Sequence, residues 1–236
     1  MLGRFLEFSL PTSDIQTSFN YYAKLGLTEA ATGETWSHPY GVFSDNRISL
    51  GLHQHDALEP TLSFVKPELL KHLEALERLG IEFEYTRLGN DVFNEVGFRD
   101  PSHHAVRLLE ARTFSPVKRS GEFSHLGYFS EIALPCPDFE AGKNFWEALG
   151  FVAMDENEDG LPHLTCTSDT IDIGLYDPAA LKRPTLRFEV DDVAFAKEAL
   201  KALGIEANVP LPVPLRGTPA LLLAAPEGTH ILLNSP

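Results

Sequence analysis

Few side chains in this sequence have the type and spacing that covalent chemistry needs. There are nine histidines and two cysteines. His53 and His55 fall in a turn-rich stretch and His103 and His104 precede an alternating segment, places where exposed imidazoles are ordinary. His125 and His163 have no patterned partner. Cys136 and Cys166 are too few for a disulfide framework, so reduced thiols are expected, with Cys136 a small turn-adjacent residue rather than a nucleophile. No nucleophile elbow, phosphate-cradling glycine loop or patterned Cys–His pair is present. What remains is charge inside strand-like alternation. Period two puts Leu6, Phe8 and Leu10 on one face and Glu7 and Ser9 on the other, turns Arg107 away from Val106 and Leu108, and sends Arg187 the same way as Thr185. Side chains so placed suit polar binding or internal ion pairing.

The elements that must position them come twice. Phe5-Leu6-Glu7-Phe8-Ser9-Leu10-Pro11 reappears as Phe129-Ser130-Glu131-Ile132-Ala133-Leu134-Pro135. At the same offset Asp14 falls on Asp138, Tyr21-Tyr22 on Phe145-Trp146, Leu25-Gly26 on Leu149-Gly150, Pro60-Thr61-Leu62 on Pro184-Thr185-Leu186, and Leu79-Gly80-Ile81 on Leu203-Gly204-Ile205. Ile48 to Leu52 matches Ile171 to Leu175 after a one-residue slip, which a loop absorbs. Each half itself holds two modules. In the first, residues 5 to 10 alternate, Asp14 is an N-cap, Ile15, Phe19 and Tyr22 recur at helical spacing, and Gly26 stops the helix. In the second, Thr61 to Val65 precede Pro67 at a first helical turn, a run of leucines, and Gly80 as the stop. Helices near 139 to 149 and 192 to 203 repeat the plan. The expected division is a first domain over 1–112, a linker over 113–124 and a second domain over 125–236.

Composition narrows the class. Apolar residues at 43% and charged residues at 22% fit a folded globular chain of 236 residues, long enough for two domains. A net charge of −15 repels phosphate backbones and anionic lipid, so nucleic acid and membrane are not expected partners. No apolar run approaches a membrane span, and Arg4 and Glu7 stand where a signal peptide would be apolar, so a cytoplasmic location is expected.

Strand, helix and three strands, given four times, is the βαβββ module. On the Pro-x-x-Asp turn, the paired aromatics before Leu-Gly, and the turns at Asp100-Pro101 and Pro226-Glu227-Gly228, the chain resembles the vicinal oxygen chelate superfamily of glyoxalase, bleomycin-resistance and extradiol dioxygenase proteins. The resemblance covers nearly the whole chain and implies an α+β fold of two tandem glyoxalase-like open-barrel domains. It also implies a metal in the barrel, held by side chains that here fall on Glu7, Ser49, Thr61 and Arg107 in the first half and on Glu131, Asp172, Thr185 and Leu232 in the second. One carboxylate beside a guanidinium does not make a metal site, and in the second half the expected histidine and final glutamate are absent. An internal ion pair of Glu7 with Arg107 is expected in place of the metal, with Arg187 neutralising Glu131 or Asp172.

The expected function is therefore a bleomycin-resistance-like protein that binds a small molecule in a barrel cavity, with no cofactor, as a monomer or homodimer. Its cavity residues would be Glu7, Ser49, Thr61, Arg107, Glu131, Asp172, Thr185, Arg187 and His230. Phe5, Phe129 and Tyr176 would line it, and the proline-rich Pro210 to Pro219 with Arg216 would form either a stiff rim over the second cavity or a bare connecting loop. The alternative is a metal-dependent lyase, isomerase or dioxygenase whose divalent metal sits between Glu131, Asp172 and His230 in the second cavity. A third reading is a degenerate enzyme serving as an interaction module.

Overall fold

The computed structural model describes residues 2–31, 36–45, 47–55, 58–90, 93–111, 124–156 and 161–235. The expected linker over 113–124 lies, apart from Ser124, outside them. The first half contains β1 (Arg4–Pro11), α1 (Ile15–Lys24), β2 (Thr28–Ala30), β3 (Tyr40–Ser44), β4 (Ser49–His53), β5 (Thr61–Lys66), α2 (Leu73–Arg78), β6 (Phe83–Arg87), β7 (Glu95–Arg99) and β8 (Ala105–Glu110). The second contains β9 (Tyr128–Pro135), α3 (Phe139–Ala148), β10 (Val152–Glu156), β11 (His163–Thr167), β12 (Asp172–Tyr176), β13 (Thr185–Glu189), α4 (Val193–Ala202), β14 (Ala220–Ala224) and β15 (His230–Asn234).

Each half folds into one open sheet, in the order β2-β3-β4-β1-β5-β8-β7-β6 and β10-β11-β12-β9-β13-β15-β14. The two modules of a half meet where β1 runs antiparallel to β5 and β9 to β13. Outside that seam β1 pairs parallel with β4, and β5 with β8. The helices are set by local chemistry. Asp14 accepts a hydrogen bond from the Thr17 amide at 3.1 Å and Asp138 from the Ala141 amide at 3.0 Å, which satisfies the free donors of a first helical turn. Gly26 and Gly150 leave α1 and α3 with φ of 84° and 100°, a turn that a β-carbon would strain.

Two expectations fail for local reasons. The helix expected from Pro67 does not start there. Glu68 adopts φ 54°, its side chain makes no cap, and a short 3-10 turn over Leu69–His72 precedes the six-residue α2. At the matching place in the second half Asp192 accepts from the Ala194 and Phe195 amides at 2.9 and 3.0 Å, and α4 runs ten residues. The fourth module also departs from three strands after its helix. Where β6 would recur the chain holds Pro210, with Pro212 and Pro214 just after it, none with an N–H to give a ladder, and among the described residues the sheet has seven strands rather than eight.

A shared core joins the halves. Phe8, Leu10, Tyr22, Phe43, Phe64, Phe98, Ile132, Trp146, Leu175 and Phe188 all lie in one buried cluster between sheets and helices. Phe98 of β7 meets Phe145 of α3 at 6.3 Å between ring centroids. The turn at Glu227 reaches α1, where its carboxylate accepts from Ser18 at 2.9 Å and Tyr22 at 2.5 Å. His104, expected to lie outside, is half-buried with Nε2 2.8 Å from the Pro135 carbonyl.

Candidate functional site

The opposite face of each sheet carries the charges. A β-bulge aims them: β1 pairs Phe5 with Phe64 but Glu7 with Ser63, leaving Leu6 as the extra residue, and β9 does the same at Ser130. The bulge reverses parity on its N-terminal side. Phe5 and Phe129 therefore do not line the charged face as expected; they pack in the core against Phe64 and Phe188 at 5.4 and 5.3 Å. Leu6, expected on the core face with Phe8 and Leu10, is only half-buried and stays out of that cluster.

In the first half Glu7 is 1% exposed. Ser9 donates to its Oε1 at 2.6 Å, Tyr40 donates to Oε2, and Nε2 of His53 lies 3.0 Å from Oε1. Arg107 stands further off, with Nη2 4.0 Å from Oε1, and donates instead to Ser9 at 2.8 Å and Ser63 at 2.9 Å. Burial works against the charged form of Glu7, but the hydrogen bonds from His53, Ser9 and Tyr40 outweigh it and hold the carboxyl below its ordinary value. Tyr40 moves the other way, pushed up by burial and by the Glu7 charge. Above the pair, Trp36 lies over the Arg107 guanidinium at 4.6 Å, and Nε2 of His38 is 2.9 Å from Nδ1 of His53. Room for the carboxylate comes from Gly51 of β4, where a β-carbon would sit 2.2 Å from it.

The second half builds the same quartet from exchanged positions. Glu131 accepts from Tyr176, from Thr165 at 3.0 Å and from Arg187 at 3.2 Å, and Gly174 supplies the room that Gly51 supplies above. Arg187 also donates to Tyr176 at 2.7 Å and to Asn234 at 3.2 Å. His163 stacks on Tyr176 at 4.5 Å and 5°, with Nδ1 on the Leu161 carbonyl at 2.7 Å. Tyr40 and His53 are cross-strand partners in the first half, and His163 and Tyr176 are cross-strand partners in the second, so tyrosine and histidine have traded strands. The arginine has moved too, from β8 to β13.

Around the quartets the two faces differ. The first is polar and aromatic, with Trp36, His38 and Tyr40 half-exposed and Tyr85 lying across Gly97 beside Arg107. The second is filled by Ala133, Leu161, Leu181, Leu215, Leu222 and Leu232 around Tyr176, with Val209 and Leu211 packed on them. The proline-rich segment does cover this face, and its Leu215 is 3% exposed.

Of the residues expected at the site, Glu7 and Arg107 meet in one cluster and Glu131 and Arg187 in the other, and Tyr176 has the expected orientation. Five others stand apart from these networks. Ser49 is half-buried at the start of β4 opposite Ser44. Thr61 turns to the Glu59 carbonyl at 2.8 Å and Thr185 to the Arg183 carbonyl at 3.0 Å. Asp172 is half-buried and pushed up by burial despite a bond with Thr167. His230 is held down by burial and by the charge of Arg183. Missing from the expectation were Trp36, His38, Tyr40, His53 and Ser63 in the first cluster and His163, Thr165 and Asn234 in the second. The repeat held the signal: the slip that lays Ile48 on Ile171 also lays Tyr40 on His163 and His53 on Tyr176.

No protein-family model and no curated protein matches the sequence. Solved structures do match in fold. Homoprotocatechuate 2,3-dioxygenase from Brevibacterium fuscum superposes with a TM-score of 0.66 at 18% identity, covering 99% of this chain and 71% of that one. A variant of that enzyme in complex with HPCA gives the same figures. The enzyme from Arthrobacter globiformis gives 0.66 at 17% identity, covering 99% and 80%. The chain therefore shares its fold with these enzymes, in two open sheets of eight and seven strands with few helices. Among the described residues no helix is long and apolar enough to cross a membrane.

These matches overturn the expectation of no cofactor, because the extradiol dioxygenases among them use iron or another divalent metal. The residues at the two clusters do not fit one. The Glu7 oxygens are taken up by Tyr40, Ser9 and His53, those of Glu131 by Tyr176, Thr165 and Arg187, and a guanidinium has no lone pair to offer. Among the described residues no three His, Cys, Asp or Glu side chains gather as a metal would need, and the trio Glu131, Asp172 and His230 is no exception.

Proposed function

We propose that this chain is a small-molecule-binding protein built on the vicinal oxygen chelate fold, with working domains over 1–112 and 125–236, and that its binding face is the one around Glu7 in the first half. The observation that supports this most is the contrast in lining. Trp36, His38 and Tyr40 stand half-exposed over a buried Glu7 and Arg107, the mixture of aromatic wall and few fixed polar groups that small-molecule pockets use. The second face is packed with aliphatic side chains. A planar, polar ligand that stacks on Trp36 and takes hydrogen bonds from its neighbours fits the first. Fluorescence titration tests this, because Trp36 is half-exposed while Trp146 is buried in the core. Quenching by aromatic acids and ketones, abolished by Trp36→Leu with the fold intact, is the expected result. A panel that leaves the fluorescence unchanged sinks the reading.

A second reading is ring-cleaving dioxygenase chemistry, and the fold matches favour it. It predicts that ferrous ion added without oxygen binds stoichiometrically in calorimetry, and that the loaded protein then opens the ring of homoprotocatechuate with a change in visible absorbance. Absence of both signals removes it.

A further inference from the structure

The histidine that reaches outward from the first cluster has a chemistry set by the residues behind it. The Glu7 carboxylate is ionised and can only accept, so the imidazole facing it at 3.0 Å must present Nε2–H. In the neutral ring the other nitrogen, Nδ1, then carries the lone pair. His38 faces this lone pair with its own Nε2 at 2.9 Å, so the shared proton belongs to His38 and its Nδ1 is left bare. Tyr40 and Ser9 fix the carboxylate from the other sides, which keeps the direction of the chain.

We infer that Glu7, His53 and His38 form a one-way hydrogen-bonded relay that makes Nδ1 of His38 a general base for a ligand carrying a weakly acidic C–H beside a carbonyl. This rests on the reading that the first face receives a small molecule. The groups around His38 suit the task. Burial, with the Arg107 guanidinium nearby, holds its ring below its ordinary value, so the neutral, proton-accepting form prevails near neutral pH. Arg107 places a fixed positive charge near the reacting region, where an enolate would develop, and the Trp36 and Tyr40 rings favour an aryl group on the ligand. The step balances without an oxidant: the C–H bond breaks, its proton goes to Nδ1 of His38, and its electron pair moves into the carbonyl to give the enolate. Return of the proton to carbon or oxygen resets the imidazole. His38 is the catalytic residue here; His53 and Glu7 position it and fix its tautomer.

The second half supplies the contrast. His163 holds Nδ1–H against the Leu161 carbonyl and its Nε2 lies 3.3 Å from Arg187, so both nitrogens are committed and the ring is 4% exposed. It leads nowhere.

Two measurements on the full chain test the relay. Nitrogen-15 spectra of the imidazoles at about pH 7.5 should show His38 and His53 protonated on Nε2 and His163 on Nδ1, a pattern no packing role demands. A His38 ring protonated on Nδ1 overturns the proposal without any variant having to fold. The second measurement follows hydrogen–deuterium exchange at the acidic carbon of phenylpyruvate in heavy water alongside quenching of Trp36. Exchange above the buffer rate is expected, falling about 100-fold in His38→Ala, a change at a half-exposed position. Quenching with no catalysed exchange, or exchange in His38→Ala at the wild-type rate, overturns the base while leaving the binding face standing. Loss of quenching itself overturns the binding face.

Discussion

The two carboxylate clusters use the same four residue types on the same fold and reach opposite ends. In the first, arginine sits a strand away from its glutamate and the histidine connects outward through a second imidazole. In the second, arginine closes on glutamate, tyrosine and asparagine together, and the histidine ends on a backbone carbonyl. The shift of one arginine from β8 to β13 explains much of this. On β13, Arg187 is the cross-strand partner of Glu131, so its guanidinium meets the carboxylate head on, and Leu232 is free to join the aliphatic fill. On β8, Arg107 is separated from β1 by β5 and reaches Glu7 only past Ser63. Both pairs are buried, so what separates them is how closely the arginine reaches and where the histidine leads.

The largest expected effect tests that difference. Arg187→Met strips a directly bonded partner from a buried carboxylate and should cost about 3–5 kcal/mol in urea unfolding, the usual penalty for orphaning a buried charge. Arg107→Met leaves Glu7 with Tyr40, Ser9 and His53, and should cost about 1–3 kcal/mol. Equal losses would erase the distinction between the clusters. Next come the glycines that make room. A β-carbon at Gly51 or Gly174 would lie 2.2 or 2.4 Å from a carboxylate atom, so either alanine should cost about 1–3 kcal/mol by overpacking. The loss should be greater at Gly174, since Glu131 is pinned by Arg187 and has less freedom to retreat.

Much of this was written locally and could be read. Asp14, Asp138, Gly26 and Gly150 act within a turn of themselves, and the alternation around Glu7 and Arg107 fixes which face they take. The quartets were harder because they depend on register across strands. His53 looks like a turn histidine until β4 is paired with β3, and Tyr40 and Trp36 follow a stretch with no periodic signal. The bulges at Leu6 and Ser130 defeated strict period two, which is why Phe5 and Phe129 were placed on the wrong face. The fill of the second face comes from Leu161, Leu181, Leu215 and Leu222, residues far apart in sequence that only the folded sheet collects.

A smaller effect separates the two second-module helices. Asp192→Ala removes two cap bonds from α4 and should lower stability by about 1 kcal/mol. Glu68→Asn should instead raise it by a few tenths, because asparagine tolerates the left-handed φ of 54° that glutamate holds there.

The smallest effect lies at the one carboxylate the second half carries where the first has Ser49. Burial raises Asp172 above its ordinary value, with the Glu131 charge adding to the rise, so its contribution to stability is present below the unfolded-state value of 3.8 and lost as pH rises through the folded-state value. Glu7 has the opposite sign: its lowered value gives stability that is present above 4.5 and lost as pH falls through the folded-state value. Asp172→Ser should therefore gain on wild type between acid and neutral pH, by less than about 1 kcal/mol because the group is half-exposed and screened. Glu7→Gln should lose on it over the same range. Parallel unfolding curves at pH 3, 5 and 7 read both signs at once, and a shared sign would mean that the fold does not treat these two carboxylates differently.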